Sequence, residues 1–336
     1  MRKVLFWAVM TLLAVSGCAD ETKKKRDTAE WLGEGLDVDT SGPECFDLKM
    51  NLLDAQALRP AVIRIYFKLT CDDEPVPSLN EESFTVLEDG SNISIFESSQ
   101  QIVPTVAGYQ LSTMLLLDMS GSMVDAGLVD ELQDAASTFI ERLGDEHEVA
   151  IYLFDGRAEI QELVPFTGNK DHLSLGLSSL SGYETVDPST NLNGAILRGL
   201  DVIDMESSVH DDKLFGGTLA VFTDGRDQAG RVTDRDAVTR AEDTDHSIYT
   251  IGLGAEIDST HLSSVGQDGA YFADDVGGLA GVFDEVASSI LTEANSLYIL
   301  AYCSPKRAGV HNLEVRLNGH DVSISRQFNA EGFTSG

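Results

Sequence analysis

The sequence contains little positive charge. Its 336 residues include 23 Lys and Arg against 56 Asp and Glu, which gives a formal net charge of −33 at pH 7. A surface this acidic repels the phosphate backbone of nucleic acids, so we expect no nucleic-acid partner. Solubility is the commoner reason for such a charge, and attraction of cations is a second interpretation that the composition leaves open.

The motifs of several large enzyme classes are also absent. The sequence has no G-x-S-x-G nucleophile turn and no glycine-rich phosphate loop that ends in Gly-Lys-Ser or Gly-Lys-Thr. His147 and Glu148 begin like the metal-binding helix of zinc proteases, but the second His is missing and the stretch is typical of a strand. We therefore predict a protein without enzymatic activity.

One long apolar run stands near the start of the chain. The segment VLFWAVMTLLAV is too short for a comfortable membrane span, and it leads into Val15-Ser16-Gly17-Cys18. These four residues resemble the lipobox of bacterial lipoproteins, although leucine is commoner at the place of Val15. The resemblance implies that residues 1–17 are a lipoprotein signal peptide and that Cys18 carries a lipid anchor in the bacterial envelope. By the same resemblance, Ala19 stands where an aspartate would retain a lipoprotein in the inner membrane, so the outer membrane is the expected location. The alternative is an ordinary signal peptide with an unmodified Cys18.

The sequence has only 4 cysteines. Beyond the lipobox, Cys45, Cys71 and Cys303 would lie in an oxidising compartment. Cys45 and Cys71 flank two apolar stretches separated by a polar turn near residues 57–60, which places them opposite each other at the open end of a hairpin. We predict a disulfide between these two residues, while Cys303 stays open as a partner for either one.

Residues 18–43 are polar and charged without apolar periodicity, and they predict a flexible tether. Its basic cluster KKKR, at 23–26, either rests on anionic lipid headgroups or is simply solvated. The stretch DVDTSG begins like a calcium-binding loop, but Leu48 stands where the closing glutamate is needed. We therefore interpret it as linker.

The texture of the remaining sequence changes twice. Residues 44–105 alternate apolar and polar positions and predict a β-rich, immunoglobulin-like segment, including strands over FTVLEDG and SNISIFES. Between 106 and 296, near-continuous apolar runs alternate with helical patterns, which predicts a mostly parallel sheet flanked by helices. The period of two returns in residues 297–336. We expect these strands to complete one small β-sandwich with 44–105, into which the α/β domain is inserted.

Carboxyl and hydroxyl side chains stand where several elements of the predicted α/β domain begin or end. Asp118 ends the strand MLLLD, and Ser120 and Ser122 follow it in the next loop. Thr190 lies in a polar loop before a helix, and Asp224 ends the strand LAVFTD. Because ligands of open parallel sheets bind beyond the carboxyl ends of the strands, we expect these side chains to form a site there.

The predicted site offers oxygen atoms only, from two carboxylates and three hydroxyls. Such ligands suit hard cations, and Mg²⁺ takes few direct carboxylates, so Mg²⁺ is the expected ion, with Ca²⁺ or Mn²⁺ as alternatives. Neutral hydroxyl ligands leave the ion much of its positive charge, which lets it bind an acidic group from another molecule. Asp227 is either a helper of this site or a solvated loop acid.

The order of these residues resembles the von Willebrand factor A domain. Its metal-ion-dependent adhesion site has the pattern Asp-x-Ser-x-Ser, then Thr, then Asp, and residues 110–293 keep all five positions. The resemblance implies a Rossmann-like fold in which Ser120, Ser122 and Thr190 bind the ion directly and Asp118 and Asp224 act mainly through water. It also implies a metal-dependent module that captures an Asp or Glu side chain of a protein partner, and together with the lipobox it predicts a lipid-anchored one. The alternative is a scaffold lipoprotein or assembly factor that does not use its metal site to capture partners.

Overall fold

The computed structural model describes residues 45–72, 74–76, 79–103, 109–144, 147–207 and 214–334. The predicted signal peptide and tether, with Cys18, KKKR and DVDTSG, lie outside the described residues. The described chain forms two compact units: one comprises the residues up to Val103 and from Ser296 onward, and the other lies between Pro104 and Asn295. No helix in these described ranges is long and apolar enough to cross a membrane.

The first unit begins with strands that the alternating pattern predicts. Within the described residues they are β1 (Leu48–Leu58), β2 (Val62–Cys71), β3 (Glu74–Pro75), β4 (Phe84–Glu88), β5 (Ser91–Asn92) and β6 (Gln101–Val103). In β2 the alternating residues Ile63, Ile65, Phe67 and Leu69 are all buried in one core. One exposed and one buried face per strand is the usual arrangement of a sandwich.

The strand predicted over SNISIFES is wrong for most of its length. Only Ser91 and Asn92 pair with β4, and residues 95–99 form a turn that leaves Phe96 exposed. The cause is local, because Ser94 Oγ accepts a hydrogen bond from the Glu97 N–H at 3.4 Å and the Ser94 carbonyl accepts one from the Ser98 N–H at 3.0 Å. Serine side chains of this kind compete with strand pairing for the backbone.

The second unit contains six strands and seven helices in its described part. The strands are β7 (Tyr109–Asp118), β8 (Glu148–Phe154), β9 (Gln161–Thr167), β10 (Leu214–Thr223), β11 (Ser247–Leu253) and β12 (Gly269–Ala273). The helices are α1 (Gly121–Asp125), α2 (Val129–Leu143), α3 (Lys170–Ser178), α4 (Leu192–Ser207), α5 (Asp234–Glu242), α6 (Ser259–Val265) and α7 (Val276–Asn295). These elements confirm the predicted α/β class.

The six strands form one sheet in the order β12-β11-β10-β7-β8-β9. All neighbours are parallel except β9, which pairs antiparallel with β8 at the edge. The first strand of this unit, β7, is central, and its successors along the chain lie on both of its sides. The strand order therefore reverses at β7, and the crevice for a ligand opens at its carboxyl end.

Helices cover both faces of this sheet. Leu115 and Leu117 of β7 join the core formed with α2 and α7, whereas Met114 and Leu116 join the core formed with α4, α5 and α6. A strand buried on both faces needs apolar residues throughout, which is why β7 carries a continuous apolar run. This run delivers Asp118 to the sheet edge.

The chain returns to the first unit with β13 (Leu297–Cys303), β14 (Val310–Leu317) and β15 (Ser323–Asn329). One sheet has the order β1-β2-β13-β6, with β3 on β2, and the other has the order β15-β14-β4-β5. Both sheets bury their apolar residues in the same core. Each sheet pairs strands from the two ends of the chain, as the sequence predicts for the additional β-sheets.

A disulfide joins Cys45 to Cys71 in this unit, with the two Cα atoms 5.7 Å apart. It lies at the open end of the antiparallel β1–β2 pair, where Leu48 is the register partner of Cys71. Because the two cysteines bond to each other, Cys303 is not the partner of either one.

Candidate metal site

Asp118 is the last residue of β7, and its side chain is fully buried. Its Oδ1 accepts a hydrogen bond from the Ser120 N–H at 2.9 Å, and its Oδ2 accepts one from the hydroxyl of Thr223 at 2.6 Å. Thr223 ends the neighbouring strand β10, so two adjacent strand ends fix this carboxyl group. Burial raises the pKa of Asp118 to about 7, since desolvation outweighs the hydrogen bonds from Thr223 and Ser120.

The two serines continue from Asp118 toward the surface. Ser120 is buried at the N-cap position of α1, whereas Ser122 is exposed in the first turn of that helix. Their Oγ atoms lie 3.2 Å apart, and the Ser122 hydroxyl donates to Asp224 Oδ1 at 2.9 Å. Asp224 directly follows β10 and is half-buried, and burial raises the pKa of its carboxyl group. The hydrogen bond between Ser122 and Asp224 therefore joins the loop after β7 to the loop after β10.

Thr190 reaches the same edge from the loop that precedes α4. Its side chain is buried, and a Cβ placed on Gly225 would lie 3.8 Å from Thr190 Oγ1. The Thr190 carbonyl accepts hydrogen bonds from the N–H groups of Gln228 at 2.8 Å and Ala229 at 3.0 Å. The structure thus brings the Thr190 loop against the loop that carries Asp224.

A further contact joins the Thr190 loop to the first serine loop. The Gly121 N–H donates to the Pro188 carbonyl at 3.0 Å, and a Cβ on Gly121 would lie only 2.8 Å from the Pro188 Cβ. Glycine is therefore needed for this close approach. The structure places the five predicted side chains, Asp118, Ser120, Ser122, Thr190 and Asp224, on three loops that meet at one sheet edge.

The chemistry of these side chains fits a hard divalent cation. The five side chains offer only carboxylate and hydroxyl oxygen atoms as ligands, which are the atoms that hard divalent cations prefer. A cation placed among them would also offset the cost of burying the Asp118 carboxylate. Ser122 is exposed, so a site at this position is open to solvent on one side.

Asp227 lies beside the five predicted side chains, but its carboxylate contacts backbone N–H groups. Asp227 accepts hydrogen bonds from the Asn193 N–H at 3.0 Å and the Gly230 N–H at 2.8 Å, so it ties the loop after β10 to the first turn of α4. This contact favours the helper interpretation over that of a solvated acid. His147 precedes β8, at the end of the sheet opposite the site, where it contacts Thr113 Oγ1 at 2.7 Å and burial lowers its pKa to about 4.

Two polar residues beside the site, Thr223 and Asp155, were not predicted from the sequence. Thr223, which holds Asp118, belongs to the quoted strand LAVFTD but was not singled out. Asp155 is fully buried and directly follows β8, much as Asp118 is the last residue of the neighbouring strand β7. A buried carboxylate immediately after a parallel strand was the available signal.

Residues 114–285 match the von Willebrand factor type A domain family, and the chain belongs to this family. Its members are generally interaction modules rather than enzymes, and they commonly bind protein ligands through a metal site. No curated protein sequence matches the chain.

Several solved structures are similar to the chain, including the following three. The chain is 11% identical to a von Willebrand factor type A protein from Catenulispora acidiphila, covering 85% of this chain and 72% of that one, with a TM-score of 0.47. It is 14% identical to manganese-loaded TRAP protein from Plasmodium vivax, with 70% and 98% coverage and a TM-score of 0.46. For proximal thread matrix protein 1 from the mussel byssus, with a zinc-occupied metal site motif, identity is 11%, coverage 62% and 50%, and the TM-score 0.46. The chain spans about half the length of the mussel protein.

Proposed function

We propose that this protein is a non-enzymatic, metal-dependent binding module that captures a protein partner at the carboxyl edge of its α/β sheet. The observation that carries the proposal is the meeting of the three loops, in which the Ser122 hydroxyl reaches Asp224 at 2.9 Å across 102 residues of sequence. Convergence of oxygen ligands from distant loops is typical of a cation site.

The expected ion is Mg²⁺, with Ca²⁺ or Mn²⁺ as alternatives. Ser120, Ser122 and Thr190 would bind the ion directly, and Asp118 and Asp224 would act mainly through water. The ion supplies a positive charge that the three neutral hydroxyls leave largely uncompensated. Since Ser122 is exposed, an Asp or Glu side chain of a partner protein can approach this charge from solvent.

The proposal includes a lipid anchor at the N-terminus. Residues 1–17 would be removed as a lipoprotein signal peptide, Cys18 would carry the lipid, and the tether of residues 18–43 would connect it to the described units. The support is the lipobox-like sequence Val15-Ser16-Gly17-Cys18. The expected location is the bacterial envelope, at the outer rather than the inner membrane.

A pull-down from the envelope fraction tests the partner-binding function. The wild-type protein is compared with Asp118→Ala, in Mg²⁺ and in EDTA. Asp134→Ala is the matched control, because it removes an exposed carboxylate from α2 outside the site. We expect one set of partners that is retained only by the wild type and the control, and only in Mg²⁺. Retention of the same partners in EDTA or by Asp118→Ala would contradict the proposal and favour the scaffold alternative.

A further inference from the structure

The segment Asp155-Gly156-Arg157 follows β8 and lies against the loop that carries Thr190. The buried Asp155 carboxylate accepts hydrogen bonds through Oδ1 from the Arg157 N–H at 2.9 Å and from Arg157 Nε at 2.8 Å. Its Oδ2 accepts from the Asp187 N–H at 3.4 Å. One buried acid therefore orders both its own segment and the start of the Thr190 loop.

The same segment holds the Thr190 loop on both sides of Thr190. Before it, the Gly156 N–H donates to the Asp187 carbonyl at 3.1 Å. After it, the Asn191 N–H donates to the Asp155 carbonyl at 3.1 Å, and Asn191 Nδ2 donates to the Arg157 carbonyl at 2.7 Å. Two fixed points that bracket three residues leave Thr190 little freedom to move.

Glycine at position 156 is what allows this close approach. A Cβ on Gly156 would lie 2.0 Å from Ser189 Oγ and 2.3 Å from Asp187 Oδ1. The Ser189 hydroxyl donates a hydrogen bond to Asp187 Oδ1 at 2.8 Å. Arg231 Nε donates to the Gly156 carbonyl, also at 2.8 Å. A side chain at position 156 would therefore push the Thr190 loop away from β8.

We propose that Asp155, Gly156 and Arg157 form a positioning segment that sets the place of Thr190 at the metal site, an inference that rests on the proposed function. None of the three belongs to the five predicted ligands. The segment reaches the Thr190 loop directly, through hydrogen bonds to residues 187 and 191 on either side of Thr190. Thr190 is thereby held between this segment and the Gln228 and Ala229 N–H groups.

The Gly156→Ala variant tests the positioning segment through metal affinity. Affinity for Mg²⁺ and Mn²⁺ is measured by titration calorimetry, and unfolding in urea is measured separately in EDTA. We expect an affinity about tenfold lower or weaker still, the range usual for residues that orient metal ligands. Hydrogen exchange of the Asn191 amide in EDTA should become faster, because its bond to Asp155 is strained.

Gly217→Ala is the matched control. A Cβ there would lie 2.5 Å from Ile203 Cγ2, a clash comparable to that at Gly156, but Gly217 lies near the opposite end of β10 from the site. We expect this variant to lower stability while metal affinity and Asn191 exchange stay at wild-type values. Asp155→Asn is the second test variant, because it keeps the shape of the side chain but removes its charge. It replaces Gly156→Ala in these measurements if that variant does not fold.

A double-mutant cycle separates positioning from general damage. If the segment acts through Thr190, the Gly156→Ala loss of affinity disappears in a Thr190→Ala background. An unchanged affinity in Gly156→Ala and Asp155→Asn, or a loss of equal size in the Thr190→Ala background, would overturn the inference. A wild-type protein that binds neither ion contradicts the proposed function itself, and the Asn191 exchange data then still decide whether the segment holds the loop.

Discussion

Asp118 in the α/β unit and Glu88 in the β-sandwich are both completely buried carboxyl groups, but their surroundings differ. Asp118 lies at an open sheet edge, where Ser120 and Thr223 donate hydrogen bonds to it and two further loops approach. Glu88 points into the sandwich, where the Tyr302 hydroxyl donates to its Oε1 at 2.7 Å. The comparison teaches that a buried acid marks a binding site only where loops converge on it and carry a ligand that solvent reaches, as the exposed Ser122 does here.

The architecture explains why, among the residues that the structure describes, the α/β unit offers such a place. Parallel strands end together at one edge, so residues that follow β7, β8 and β10 meet there although they are far apart in sequence. In the antiparallel sandwich, neighbouring strands end at opposite edges, and the core between the sheets is apolar with a cluster of aromatic rings. The described sandwich strands thus lack the meeting of loops on which the candidate site of the α/β unit depends.

The largest expected effect breaks the sandwich without touching the site. Phe67 is fully buried, and its ring lies 5.3 Å from that of Phe84 and 5.5 Å from that of Tyr298. Phe67→Ala should lower the free energy of unfolding of the first unit by about 3–5 kcal/mol, measured in urea. Phe96→Ala, at an exposed phenylalanine of the same unit, is the control and should stay within about 0.5 kcal/mol of the wild type.

The disulfide offers a second perturbation confined to the sandwich. Cys45→Ser or reduction should cost about 2–4 kcal/mol, because the cross-link between residues 26 positions apart restricts the unfolded chain. Unfolding with and without a reducing agent measures this effect. Metal affinity should not change. A parallel loss of metal binding would contradict the assignment of the metal site to the α/β unit alone.

A smaller, pH-dependent effect is expected at His311 of the sandwich. Its Nε2 lies 2.8 Å from the Ala308 carbonyl and its Nδ1 2.8 Å from Asp89 Oδ2, so both ring nitrogens face acceptors. These two contacts raise the pKa of His311 above its usual value near 6.5, against the neighbouring Lys306, which lowers it. A histidine with a raised pKa in the folded state stabilises fully below its unfolded pKa, and the contribution is lost as pH rises through the folded value.

An NMR titration of the His311 ring measures this pKa directly. Urea unfolding on both sides of it should show the wild type losing stability with rising pH relative to His311→Gln, which cannot titrate. Equal pH dependence of the two proteins would show that the protonated His311 ring, with its two hydrogen bonds, does not stabilise the fold. Metal binding by the α/β unit should be indifferent to the substitution.

Much of the fold could be predicted from the sequence because its signals are local. The continuous apolar run of β7 predicts burial on both faces, and the alternation in β2 predicts the face that enters the sandwich core. The edge strand β9 carries a weaker signal, since Pro165 and the leading polar residues Gln161 and Glu162 interrupt its apolar pattern. The turn at residues 95–99 was missed because Ser94 overrides an apolar alternation.

The candidate site divides in the same way. Asp118 and Asp224 stand at strand ends, so the meeting of their loops follows from the parallel sheet alone. The positioning segment could not be predicted, because its contacts with Asp187 and Asn191 depend on how closely two loops approach in the folded unit. No pattern within Asp155-Gly156-Arg157 reports that distance.

Unfolding of the whole protein in Mg²⁺ and in EDTA tests the central claim most directly, with the wild type, Asp118→Ala and Glu88→Gln compared. For the wild type we predict a stabilisation of the α/β unit by about 2.7 kcal/mol when the free ion is about 100 times its dissociation constant. The stabilisation should persist in Glu88→Gln and vanish in Asp118→Ala. A wild-type protein that unfolds identically in Mg²⁺ and EDTA, or an Asp118→Ala protein that keeps the full Mg²⁺ effect, would contradict the account.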